Sequence, residues 1–314
     1  MQVGRHLLTP AMADLLDKIR RADRPPFHSL TVAEARAAYQ SAAEVLEPPR
    51  APLARVQNIC IPATDATPLA ARLYAASNDA LPVLLYLHGG GFTIGNLETH
   101  DSLCRQIALR SGAAVVALDY RLAPEHRFPV AVDDAWAAMH WLARHATTLG
   151  LDGSRIAVGG DSAGGTLAAV CAIHARDTGL KLRAQVLITP GTTAFADTPS
   201  HRRFGKGYLL ETAGIEWFFA HYIARAQRSD WRFAPLEAES LDGLAPACLV
   251  LAECDPLVDE GVAYADRLRC AGVPVELELV RGVTHDFIKL GRVLAEAGTA
   301  QALIGAALSA AFSH

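Results

Sequence analysis

From residue 81 onward, short runs of apolar, β-prone residues alternate with longer segments of helical spacing, and this alternation leaves few folds open. Residues 81–87 (LPVLLYL), 113–120 (AAVVALDY), 155–159 (RIAVG), 184–189 (AQVLIT), 247–252 (ACLVLA) and 273–280 (VPVELELV) read as strands. Between them, residues 97–110, 128–149, 163–177 and 258–270 read as helices, and a last helix closes the chain. Continuously apolar strands separated by helices imply a mostly parallel sheet covered on both faces. In such sheets ligands and catalytic groups collect at the C-terminal strand ends. The expected class is therefore α/β, and a chain of 314 residues is long enough to bury one large core.

Other stretches stand outside the parallel pattern. Residues 55–62 and 69–75 look like a preceding antiparallel pair, and residues 1–45 read as two helices joined at Pro25-Pro26. A long irregular insertion, residues 191–234, separates the strands ending at Thr189 and Ala252. The N-terminal 21 residues do not read as a secretory leader, because Arg5, His6, Asp14 and Asp17 interrupt the apolar stretches. No apolar run is long enough to span a membrane; the Ala-rich stretch after Ala295 reads as an amphipathic surface helix. With 29 basic against 33 acidic residues, a net charge of −4 and no basic tract, nucleic acid is not an expected partner. A cytoplasmic location is expected, with Cys60, Cys104, Cys171, Cys248, Cys254 and Cys270 as small buried hydrophobes rather than ligands or bridges.

Gly160-Asp161-Ser162-Ala163-Gly164 matches G-x-S-x-G, directly after a predicted strand and before a predicted helix. The context matters more than the pentapeptide. A tight strand-to-helix turn forces the serine into a strained backbone, and glycines two residues either side make room for it. His88-Gly89-Gly90-Gly91-Phe92 lies at the end of the 81–87 strand. Successive glycines beyond a strand tip bare their amides, which suits them to hold a developing oxyanion. The amides of Gly90, Gly91 and Ala163 are the expected oxyanion hole, with Gly89 as the lesser candidate.

A serine nucleophile needs a base, and the base needs an orienting carboxylate. In this architecture the chain order is serine, acid, histidine. That order removes His88, His100, His126, His140 and His145; His174 lies on the helix behind the serine, His201 and His221 in the insertion, and His314 at the terminus. His285 remains, in the loop after the 273–280 strand. Asp255 is the expected acid, at the tip of the 247–252 strand, with Glu253 and Asp259 as competitors.

These motifs, HGGGF (88–92), DYRLAPEHRFP (119–129), GDSAGG (160–165), DPLVDEG (255–261) and the closing His285, resemble those of the hormone-sensitive-lipase-like carboxylesterases, in their bacterial GDSAG group. Residues 31–39 (TVAEARAAY) are similar to that family's N-terminal cap helices. The resemblance implies an α/β-hydrolase fold, with residues 46–314 as catalytic domain and a helical cap built from residues 1–45 and part of 191–234. It implies hydrolysis of short- to medium-chain acyl esters with no metal and no organic cofactor. It also implies a structural role for Arg121, Glu125 and Arg127, and a homodimer through the 273–280 edge strand. One departure is visible: the family usually has Gly after the catalytic histidine, and this chain has Asp286.

Phe92, Asp161, Tyr208, Leu209 and Trp217 are the expected substrate contacts, although Phe204, Tyr208, Leu209, Trp217 and Phe218 would serve equally as core of the insertion. The expected acid limb of activity lies between roughly pH 5.5 and 7.5, around an ordinary imidazole. An amidase, deacetylase or peptidase would use the same triad. A non-catalytic ligand receptor on this fold would be expected to lack one of Ser162, Asp255 and His285.

Overall fold

A computed structural model of the chain describes residues 5–313; the first four residues of the expected cap segment and His314 lie outside the described residues. The elements in chain order are α1 (Pro10–Ala22), α2 (Val32–Leu46), β1 (Arg55–Pro62), β2 (Pro68–Ala75), β3 (Leu81–Leu87), α3 (Asp101–Ser111), β4 (Ala114–Leu118), α4 (Val130–His145), β5 (Leu151–Asp161) and α5 (Ala163–Asp177). They continue with β6 (Gln185–Ile188), α6 (Pro199–Phe204), α7 (Thr212–Tyr222), β7 (Ala247–Ala252), α8 (Val258–Cys270), β8 (Val275–Val280) and α9 (Ala295–Phe312).

The strands form one sheet in the order β1-β2-β4-β3-β5-β6-β7-β8. The β1–β2 and β2–β4 pairs are antiparallel and every later pair is parallel. Alternation along each strand sends side chains to two cores. Leu85, Val116, Val158, Leu187 and Leu249 face α4, α5 and α8, where Met139, Leu167 and Leu268 wait. Leu84, Tyr86, Val115, Val186 and Val250 face the other way, against Ile107 of α3 and Ile304 and Leu308 of α9. Because β3, β4, β7 and the second half of β5 are buried on both faces, their sequences there run almost wholly apolar.

Register then positions the site. Leu87 of β3 lies beside Gly160 of β5, so the HGGG loop and the Ser162 turn leave the sheet side by side. Ala252 of β7 lies beside Val280 of β8, which does the same for the Asp255 and His285 loops.

The N-terminal helices do different jobs. In α2, a capping box between Thr31 and Glu34 fixes the start. The helix buries Ala35 and Tyr39 with Ile94 and with Phe218 of α7. Arg36 fastens α2 to the loops below: it donates to the carbonyls of Thr93 (2.9 Å) and Ala123 (3.0 Å) and pairs with Glu125 (2.7 Å). By contrast, α1 departs from the expectation of a segment apart from the sheet domain. Its Met12 and Leu15 join the α3–α9 core beside Phe287 and Ile288, while its Ile19 is exposed. The six cysteines are free, and Cys60 and Cys270 are exposed rather than buried. Among the described residues no helix is long and apolar enough to cross a membrane.

Candidate active site

The turn between β5 and α5 carries Ser162 at φ 53°, ψ −122°, a conformation that non-glycine residues adopt only when surroundings enforce it. The enforcement is visible. A Cβ at Gly160 would stand 2.3 Å from the Leu87 carbonyl oxygen, and one at Gly164 only 1.9 Å from it. Both glycines are therefore required for the turn to press against β3.

His285 Nε2 lies 2.9 Å from Ser162 Oγ, and its Nδ1 lies 2.7 Å from Asp255 Oδ2. An ionised carboxylate only accepts, so Nδ1 donates to it and Nε2 is left to accept the serine proton. The Leu257 amide donates to the other oxygen of Asp255, at 2.9 Å. The competing acids are engaged elsewhere: Glu253 accepts from the Gly282 amide and Asp259 from the Ser200 amide. Burial disfavours a charged His285, but Asp255, through charge and hydrogen bond, and then Asp286 outweigh it and lift the imidazole to about 9. Asp286 sits at φ 64°, a left-handed backbone that explains why glycine suits this position, with Oδ1 4.0 Å from His285 Nε2.

The HGGG loop is held from behind. His88 is neutral, driven down to about 3 by burial, and it donates Nδ1–H to the Gly89 carbonyl while stacking on Tyr120 at 4.3 Å. The Tyr120 hydroxyl donates to the His88 carbonyl at 2.7 Å. Gly90 and Gly91 take φ of 123° and 58°, and among the described residues neither amide donates to a protein acceptor. The Ala163 amide, which opens α5, likewise has no intrahelical partner.

Four expected site residues stand elsewhere. The Gly89 amide is spent on Asp161 Oδ1 at 3.1 Å, which leaves Gly90 and Gly91 as the free amides of this loop. Asp161, expected to touch substrate, is 1% exposed; it accepts from Tyr86 at 2.7 Å and pairs with His100 at 3.2 Å. That carboxylate joins the serine turn to the glycine loop. Phe92, expected to touch substrate, is buried and stacks on Tyr222 at 4.0 Å, which anchors α7. Tyr208 is buried with Phe204 and Cys254, as core of the insertion.

Leu209 is half-buried at φ 68° against the cluster that holds Met12 and Phe287. Trp217 is half-buried beside Phe218 in the cluster of α2 and α7. Phe218 packs so closely that a Cβ at Gly91 would fall 2.3 Å from its ring. Arg121 pairs with Asp134, and Arg127 donates to the Ala220 carbonyl, ties that are structural.

Sequence reasoning missed Tyr39 and Lys289. Lys289 is buried, donates to the Tyr39 hydroxyl and lies 4.1 Å from the centre of its ring. Tyr39 closes the 31–39 segment that resembles the family's cap helices but had no role of its own there, and Lys289 sits in no motif. Two other buried acids are pushed up to about 8, chiefly by burial: Glu47 at the end of α2, and Glu260, which accepts from the Thr192 and Thr193 amides. Among the described residues no group of three or more His, Cys, Asp or Glu side chains is arranged to hold a metal ion.

Comparison with known proteins gives a consistent picture. A family model described as alpha/beta hydrolase fold matches residues 84–289. The chain is 42% identical over 290 residues to ethyl acetate hydrolase of Pseudomonas putida, covering 90% of this chain and 91% of that protein. It is 43% identical to carboxylesterase NlhH of Mycobacterium tuberculosis over 71% of each. Among solved structures, a thermostable esterase from Pseudomonas putida superposes with a TM-score of 0.94 at 33% identity, over 98% of each chain.

Proposed function

Because the chain belongs to the α/β-hydrolase family of serine hydrolases, in its hormone-sensitive-lipase-like group, we propose that it hydrolyses short- to medium-chain carboxylic esters through Ser162, His285 and Asp255. One observation carries the reading: the unbroken chain from Ser162 Oγ through His285 to Asp255, at 2.9 and 2.7 Å, on a serine whose backbone is strained into the open. The names of the relatives support an ester as the scissile group.

His285 Nε2 takes the Ser162 proton as Oγ attacks the ester carbonyl. The amides of Gly90, Gly91 and Ala163 receive the oxyanion, each preorganised before charge develops. His285 then gives its proton to the leaving alcohol, and a water deprotonated by the same nitrogen releases the acyl group from Ser162. Asp255 keeps the ring in the tautomer that serves Ser162 and stabilises the imidazolium without taking its proton.

In this reading α2 and α7 form a cap over the serine, with Trp217, half-buried beside Phe218 and Tyr39, as the substrate contact on its underside. α1 belongs to the cap only in sequence, since its buried face serves the sheet domain.

The test is kcat/KM across p-nitrophenyl esters of rising acyl length, with the matching anilides as control. Turnover that peaks at short or medium acyl chains and exceeds the anilide rate is expected. Ser162→Ala should lower kcat by on the order of 10⁴- to 10⁶-fold, because nucleophile and base act as one unit. Retention of more than about a tenth of the activity would remove Ser162 from the role.

A further inference from the structure

The carboxylate next to the base is not required by the backbone that carries it. Asp286 occupies a left-handed conformation at φ 64°, which glycine and asparagine also accept. Its side chain is 31% exposed whereas that of His285 is 5% exposed, so it stands on the open side of the imidazole. No donor among the described residues hydrogen-bonds its carboxylate, and its nearest charged neighbour is His285 Nε2 at 4.0 Å.

The other charges near this ring are committed. Asp255 is buried beneath Nδ1 and Asp161 is buried behind Ser162, held by His100 and Tyr86. Lys289 is buried against Tyr39, and Glu47 is buried at the end of α2. Asp286 is thus the accessible charge at the place where the leaving alcohol must receive its proton. A leaving oxygen within hydrogen-bond reach of Nε2 stands no more than about 7 Å from that carboxylate.

We infer that Asp286 is a specificity-determining residue that selects esters by the charge on their alcohol portion, favouring cationic alcohols and disfavouring anionic ones. The inference rests on the ester-hydrolase reading of this site and adds the substrate class. A carboxylate only 31% exposed and bound by no hydrogen-bond donor among the described residues acts on a charge several ångströms away more strongly than one in bulk water, and remains open to salt.

The experiment compares acetylcholine with its neutral isostere 3,3-dimethylbutyl acetate, measuring kcat/KM for both in wild type, Asp286→Asn and Asp286→Gly. Both esters use the same His285, so the ratio cancels any change in base strength. Both replacements tolerate the left-handed backbone, so the fold is kept. The cationic-to-neutral ratio should fall by roughly tenfold in each variant, and the wild-type ratio should fall as ionic strength rises while those of the variants hold steady. Turnover of both esters with the same ratio in all three proteins would overturn charge selection and leave the ester reading intact. No turnover of either ester by wild type, nor of any p-nitrophenyl ester, would overturn the ester reading and this inference with it.

Discussion

His285 has two carboxylates within 4.0 Å and a buried ring, and its proton affinity decides when the site is competent. A base must be neutral, so activity rises as pH climbs through the folded-state value. That value is lifted from 6.5 towards about 9, which moves the acid limb above the range of roughly pH 5.5 to 7.5 expected of an ordinary imidazole. A kcat/KM profile centred above neutrality is expected, and Asp286→Asn should shift it towards lower pH by removing one of the two charges. An unshifted profile would show that Asp255 alone sets the base. Asp161→Asn probes a different coupling. The amide keeps the shape but replaces one acceptor by a donor, so Tyr86, Gly89 or His100 loses its partner. The expected result is a kcat about 10- to 10²-fold lower, with KM little changed, because the oxyanion donors are displaced. Equal losses in thermal stability and KM would instead mark Asp161 as ordinary core. Sequence order singled out Ser162, Asp255 and His285, and the structure brings the three within hydrogen-bond reach in loops that follow β5, β7 and β8. Order was not enough for Asp161, which sits inside the serine motif yet is buried among Tyr86, Gly89 and His100; nothing in a pentapeptide tells which face a carboxylate takes.

At the scale of elements, periodicity located the strands to within two or three residues, apart from β5, whose polar first half (LDGS) hid four residues. The roles of the N-terminal helices were harder to read. The apolar faces of α1 and α2 look alike in sequence, but tertiary packing sends one to the sheet and the other to α7. Removing residues 1–45 should therefore have two separable effects. Loss of Met12 and Leu15 leaves a void in the α3–α9 core and lowers the melting temperature; a buried Met→Ala change alone costs about 2–5 kcal/mol. Loss of α2 bares Phe218 and weakens ester binding. Met12→Ala should reproduce the first effect without changing acyl-chain preference. A truncated protein with unchanged kcat/KM and chain-length preference would exclude α2 as a cap.

For the molecule as a whole, buried acids set how stability depends on pH. Glu47 and Glu260 titrate at about 8 in the folded chain against 4.5 in an unfolded one, so folding binds protons. Their contribution is fully present below 4.5 and is lost as pH rises towards about 8; His285, with its raised affinity, adds a loss of the same sign beyond 6.5. Buried His88 and His100, held neutral in the folded chain, take up protons on unfolding below about 6.5 and oppose this trend there. Melting temperature should therefore fall between about 6.5 and 8, just where activity rises, and Glu47→Gln should flatten the slope. A slope identical to wild type would place that proton uptake elsewhere. We also propose that β8, which has a free edge and half-exposed side chains, pairs with a second copy. A dimeric mass by light scattering at micromolar concentration is expected, and a monomeric mass would exclude it.

The tether made by Arg36 has a consequence for how such a chain can be inherited. One guanidinium reads the carbonyl of Thr93 in the glycine loop, that of Ala123 and the carboxylate of Glu125. α2 and the glycine loop are thereby fitted to each other, and neither is a portable module. A chimera with a foreign N-terminal segment should fold and still turn over slowly, unless the donor brings an arginine to this place.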